Sequence, residues 1–127
     1  MVGIVVVSHS SELAAGLAEL AAQMAGPDVR IEHAGGTSDG TLGTDEGRVR
    51  DAIRRADGGD GVVVLGDLGS AILTVRHVLE RQSNGHVKLA DAPFVEGAVA
   101  AAVTSSAGRP IDEVVSAAED ARDARKL

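Results

Sequence analysis

Two aliphatic runs, Ile4-Val5-Val6-Val7 and Val62-Val63-Val64-Leu65, contain no polar residue at alternate positions. A strand with one wet face alternates, so a run that does not alternate belongs to a strand covered on both faces, as inner strands of a parallel sheet are. Two weaker candidates accompany them. Val29-Arg30-Ile31-Glu32-His33 alternates as an edge strand does, and His86-Val87-Lys88-Leu89-Ala90 reads as a fourth strand.

Between these runs the apolar spacing changes to a period near 3.6. Leu13, Leu17, Leu20 and Met24 mark one helix, Val49, Ala52, Ile53 and Ala56 a second, and Ala71, Val75, Val78 and Leu79 a third. Phe94 to Ser106 is rich in Ala and Val and reads as a buried helix stopped by Gly108 and Pro110; Ile111 to Arg125 follows as a more charged amphipathic helix. Strand and helix alternate. The expected fold is therefore α/β, an open, mostly parallel four-stranded sheet with helices on both faces, in one unit spanning residues 1–127.

Composition narrows the chemistry. Twelve Lys+Arg against nineteen Asp+Glu leave a formal charge of -7, and Phe94 is the only aromatic residue. A phosphate-tracking basic face and a base-stacking platform are both missing, so no nucleic acid partner is expected. The absence of cysteine removes disulfides, thiol nucleophiles and thiolate metal sites, and fits a cytoplasmic setting. The amino terminus carries no basic leader and no run of 18 apolar residues, so neither a signal peptide nor a membrane span is expected.

In open parallel sheets the ligand crevice lies beyond the carboxyl ends of the strands, where helix N-termini converge. Those exits hold Ser8-His9-Ser10-Ser11, Gly35-Gly36-Thr37, Gly66-Asp67-Leu68-Gly69-Ser70 and Asp91-Ala92-Pro93. His9 is the leading candidate. Imidazole near neutral pH is a nucleophile, and a carboxylate on one ring nitrogen fixes the tautomer and frees the lone pair of the other. Asp67 is the candidate carboxylate, within reach if the first and third strands are neighbours about 5 Å apart. Ser10, Gly36, Thr37, Gly69 and Ser70 are of types that donate to a phosphoryl group, and no Lys or Arg stands at any strand exit, which leaves complementary charge to a partner. The plainer alternatives stay open: a helix-capping or solvated histidine at His9, and an N-cap at Asp67. His33, His77 and His86 read as structural or solvated.

Several sharper signatures are missing. Gly40 is followed by Thr41 and not by Lys-Ser/Thr, no Gly-x-Gly-x-x-Gly opens a helix, and no His-Glu-x-x-His occurs, so no nucleotide cofactor and no metal is expected. The segment Gly35 to Gly43 is long for a connection inside a compact sheet and marks a candidate functional loop.

Four motifs in order, Gly3-Ile4-Val5-Val6-Val7-Ser8-His9-Ser10, Gly43-Thr44-Asp45, Asp67-Leu68-Gly69-Ser70-Ala71 and Ala92-Pro93-Phe94-Val95-Glu96-Gly97, resemble the DhaM family, the phosphotransfer subunits of phosphoenolpyruvate-dependent dihydroxyacetone kinase within the mannose-type enzyme IIA superfamily. The resemblance implies that His9 takes phosphate from the phosphocarrier HPr and passes it to ADP held by DhaL, which works with DhaK. It also implies that Asp67 pairs with His9 and that the subunit is a homodimer. The alternatives are the IIA component of a mannose-type sugar permease, with the same histidine chemistry and a different acceptor, and a non-catalytic binding module.

Overall fold

The computed structural model describes residues 1–81 and 86–127. Four strands alternate with helices: β1 (Gly3–Ser8), α1 (Ser11–Ala25), β2 (Ile31–Gly35), α2 (Glu46–Ala56), β3 (Val62–Gly66), α3 (Gly69–Glu80), β4 (Val87–Leu89), α4 (Phe94–Ser106) and α5 (Ile111–Asp120), with a 3-10 turn at Ala121–Asp123. The strands lie in the order β2-β1-β3-β4, all parallel. The two runs without alternation are the inner strands, and every residue of β1 and β3 is buried.

Because side chains alternate across a strand, each inner strand supplies two cores. Ile4 and Val6 of β1, with Val63 and Leu65 of β3, pack under α1, α4 and α5 against Leu17, Ala98, Ala101 and Val114. Val5 and Val7, with Val62 and Val64, pack under α2 and α3 against Val49, Ile53, Val75 and Val78. Among the described residues no helix is long and apolar enough to cross a membrane.

Three boundaries and one helix face differ from the sequence expectation; the fourth strand is shorter, Val87–Leu89 rather than His86–Ala90. The second strand is Ile31–Gly35 rather than Val29–His33, because its register with β1 runs from Ile4–Ile31 to Ser8–Gly35 and so recruits Ala34 and Gly35, residues with no strand signature. The last α-helix stops at Asp120, where Arg122 turns back to donate to the carbonyls of Glu119 and Asp91 and a 3-10 turn closes the end. In α1 the stripe facing the sheet is Ala14, Leu17, Ala18 and Ala21, while Leu13, Leu20 and Met24 are exposed. Small side chains let α1 sit close to the sheet and leave the larger ones outside.

Candidate functional site

The register of β1 and β3 pairs Val7 with Gly66, so Ser8 and Asp67 leave the sheet side by side and His9 follows one residue on. The Asp67 N–H donates to the Val7 carbonyl at 3.1 Å, which continues the ladder one step past the strands. Directly after these exits the chain enters α1 and α3, so His9 and Asp67 stand between two helix N-termini.

His9 Nδ1 lies 2.9 Å from Asp67 Oδ1, and His9 Nε2 meets the Ser70 hydroxyl. A carboxylate can only accept, so Nδ1 carries the proton and Nε2 presents its lone pair. The His9 side chain is 25% exposed and that of Asp67 11%, so solvent and partners reach the ring while its orienting carboxylate is shielded.

Four donors converge on Asp67. Oδ2 accepts from Ser8 Oγ at 2.8 Å and from the His9 N–H at 3.2 Å; Oδ1 accepts from the Leu68 N–H at 2.7 Å and from the His9 ring. Burial is the largest single influence on the carboxyl and opposes its ionisation, but the hydrogen bonds of Ser8, the His9 N–H, the His9 ring and the Leu68 N–H together outweigh it. Asp67 is held below the ordinary carboxylate range and stays ionised.

The other candidates are placed differently from one another. Ser10 caps α1, its hydroxyl oxygen accepting from the Leu13 N–H at 3.2 Å. Gly69 and Ser70 form the first turn of α3, which has no capping side chain, because Leu68 stands where a polar residue would close it. A Cβ built on Gly69 meets nothing within 4 Å, so the space over this turn is open. Gly36 adopts φ +71 in the turn after β2, and Thr37 spends its hydrogen bonds inside the loop, its N–H on the Thr41 carbonyl at 3.0 Å and its hydroxyl on Asp39 and Thr41. The Thr37 and Thr41 hydroxyls and the Thr41 N–H lower the Asp39 carboxyl to about 2. The loop touches the site at its far end, where the Gly43 N–H donates to the His9 carbonyl at 2.9 Å and Thr44 meets Thr74 of α3 at 2.7 Å.

Two residues escaped the sequence reading. Ser8 sits at the polar end of an apolar run and gives no sign of being buried, yet it is fully enclosed and bonded to Asp67. Arg76 lies two turns along α3, on the wall of a groove of about 460 Å³ that opens beside Asp67 between α3 and the ends of β3 and β4. Its i, i+7 spacing from Gly69 and i, i+4 spacing from Ile72 on the same helix is the signal the sequence offers. Of the remaining histidines, His77 pairs with Glu46 at 2.9 Å and His86 with Asp57 at 3.1 Å, neither in contact with His9 or Asp67, while His33 lies in β2. Among the described residues no three His, Asp or Glu gather to hold a metal ion.

Fold and site together define an open-sheet α/β protein with a solvent-reached His–Asp pair at the carboxyl edge of its two central strands. The family model described as PTS system fructose IIA component, EIIA-man, matches residues 3–115. The phosphoryl donor subunit DhaM of PEP-dependent dihydroxyacetone kinase 2 from Listeria innocua is 40% identical over 83% of this chain and 86% of its own length. DhaM of the PEP-dependent dihydroxyacetone kinase of Escherichia coli is 40% identical over 99% of this chain, which spans 28% of that relative's length. A crystal structure of a protein described as of unknown function superposes with a TM-score of 0.83 at 35% identity, covering 94% of this chain and 95% of that one. The chain belongs to the EIIA-man family and, within it, to the DhaM subunits.

Proposed function

We propose that this protein is a phosphoryl relay of a phosphoenolpyruvate-dependent dihydroxyacetone kinase, in which His9 Nε2 carries the phosphoryl group. The observation that carries the reading is the 2.9 Å contact between His9 Nδ1 and Asp67 Oδ1, which leaves the Nε2 lone pair on the exposed side of the ring. In the first transfer Nε2 attacks the phosphorus held on a nitrogen of a phosphohistidine donor. The Nε2–P bond forms, the donor's N–P bond breaks, and the electron pair leaves with the donor nitrogen. Positive charge then grows on the His9 ring, where the ionised Asp67 opposes it through the Nδ1 proton.

In the second transfer an oxygen of a terminal phosphate attacks the same phosphorus and the electron pair returns to Nε2. Asp67 keeps its proton partner throughout and undergoes no net change. The Ser70 hydroxyl, which meets Nε2 in the free protein, swings to donate to a phosphoryl oxygen. The uncapped first turn of α3, at Gly69 and Ser70, offers backbone N–H groups to the same oxygens. On this reading Ser10 and Gly36 donate to the phosphoryl group from the side of α1 and β2, and Thr37 does so after release from its bonds to Asp39 and Thr41. In this reading the donor is HPr, the acceptor is ADP on DhaL in association with DhaK, and the relay is a homodimer.

The test is direct. With enzyme I, HPr and phosphoenolpyruvate the protein takes up an acid-labile, base-stable phosphate, and adding DhaL with ADP discharges it. Absence of uptake favours a non-catalytic binding module, and uptake without discharge to ADP favours a sugar-permease IIA component.

A further inference from the structure

Ser8 and Ser105 are the buried polar residues among those described. Ser105 donates to the Val2 carbonyl at 2.5 Å and ties α4 to the start of β1, a role that ends with packing. Ser8 does something else. In β1 it continues the phase of Ile4 and Val6, so its side chain points to the apolar face covered by α1, α4 and α5, where Ser105 is the other buried hydroxyl. Burying a hydroxyl there is unfavourable unless both its donor and its acceptor are used. Both are used: the oxygen accepts from the Ser10 N–H at 3.0 Å, which directs the hydroxyl proton to Asp67 Oδ2 at 2.8 Å.

The consequence falls on the carboxylate. Of the four donors to Asp67, two are backbone N–H groups and one is the His9 ring itself; Ser8 supplies the remaining one, from a side chain with no freedom to move. Without Ser8, Oδ2 keeps only the 3.2 Å bond from the His9 N–H. The carboxylate is then free to turn about its own bond, and the ring loses a fixed acceptor at Nδ1.

Resting on the reading of His9 as phosphoryl acceptor, we propose that Ser8 is a positioning residue, whose buried hydroxyl locks the Asp67 carboxylate and so holds His9 in the tautomer that presents the Nε2 lone pair to phosphorus. Ser8 acts through Asp67 and touches no reacting atom.

The full chain is made as Ser8→Ala, Ser8→Cys and Ser8→Thr. Cysteine keeps roughly the volume of serine while exchanging a strong donor for a weak one, and reads the hydrogen bond even if the alanine variant fails to fold. Phosphate uptake from phospho-HPr is followed alongside the ring nitrogen-15 shifts of His9 and the urea midpoint. Ser8→Ala and Ser8→Cys are expected to slow uptake about tenfold, the low end for loss of a partner that orients a histidine's ligand. Both are expected to raise the fraction of the Nε2–H tautomer, and Ser8→Thr restores the rate and the tautomer. A folded Ser8→Ala or Ser8→Cys protein with wild-type tautomer and rate overturns the role of Ser8; so does a slower rate that tracks the urea midpoint with the tautomer unchanged. Wild-type protein that takes no phosphate overturns instead the acceptor reading on which the proposal stands.

Discussion

His9 Nδ1 and Asp67 Oδ1 are 2.9 Å apart although 58 residues separate them in the chain. Nothing local brings them together. Their meeting depends on β1 and β3 being adjacent and in a register that sends Ser8 and Asp67 out of the sheet at the same level. Every chemical property assigned to the site follows from that neighbourhood.

Replacing His9 by alanine should abolish phosphate uptake and leave the fold intact. The ring is partly exposed and belongs to neither core. Radiolabel transfer from phosphoenolpyruvate, with circular dichroism as the control for folding, checks both halves; uptake by the variant would mean another residue is the acceptor.

Asp67→Asn should slow transfer by about one to two orders of magnitude without preventing it, at the low end of what a positioned acid–base partner contributes. An asparagine can accept from Nδ1 through its oxygen or donate to it through its NH2, so only part of the ring population keeps the Nε2 lone pair, and the charge that opposes developing imidazolium is lost. Rapid-quench kinetics with phospho-HPr measure the loss. A variant as fast as wild type would leave Asp67 a turn-forming residue only.

The same carboxylate makes stability depend on acid. The folded protein holds Asp67 below its unfolded value of about 3.9, so the stabilisation it provides is complete above that pH and disappears as pH falls through the lower folded value. Between the two the unfolded chain binds more protons, and unfolding free energy falls with falling pH. Asp39, Glu46 and Asp57 are shifted in the same direction, so the whole protein should lose stability in acid. Urea titrations in this window should show a shallower fall for Asp67→Asn, by up to one proton.

Gly35→Ala should destabilise the protein and disturb the site together. A Cβ at Gly35 comes within 2.5 Å of the Ser10 carbonyl oxygen and 2.9 Å of Ser11 Cα, backbone atoms that cannot swing aside. The overpacking should cost about 1–3 kcal/mol and push the start of α1 away from β2, moving His9 with it. Urea denaturation gives the first quantity and the uptake rate the second.

Much of the architecture was legible in the sequence because it depends on which faces of an element are covered. Ile4–Val7 and Val62–Leu65 could belong only to strands buried on both sides, and the structure has them in the centre of the sheet. Legibility failed where small residues carry the packing. Ala34 and Gly35 end β2 without a strand signature, and in α1 the alanine stripe lies one position out of phase with the leucines, so period alone could not say which faced inward. Ser8 was illegible for a related reason: a serine after an apolar run looks like the start of a turn, and only its enclosure and its bond to Asp67 mark it as part of the site.

The order of residues was enough to determine the kinds of element, their alternation and the presence of an imidazole just past the first strand. These depend on local periodicity and on what a strand or helix must bury. Which strand lies beside β1, and therefore which side chain meets His9, was decided by the tertiary structure. Strand order is a competition among pairings distant in sequence, and its outcome rests on the two packed cores rather than on any segment by itself.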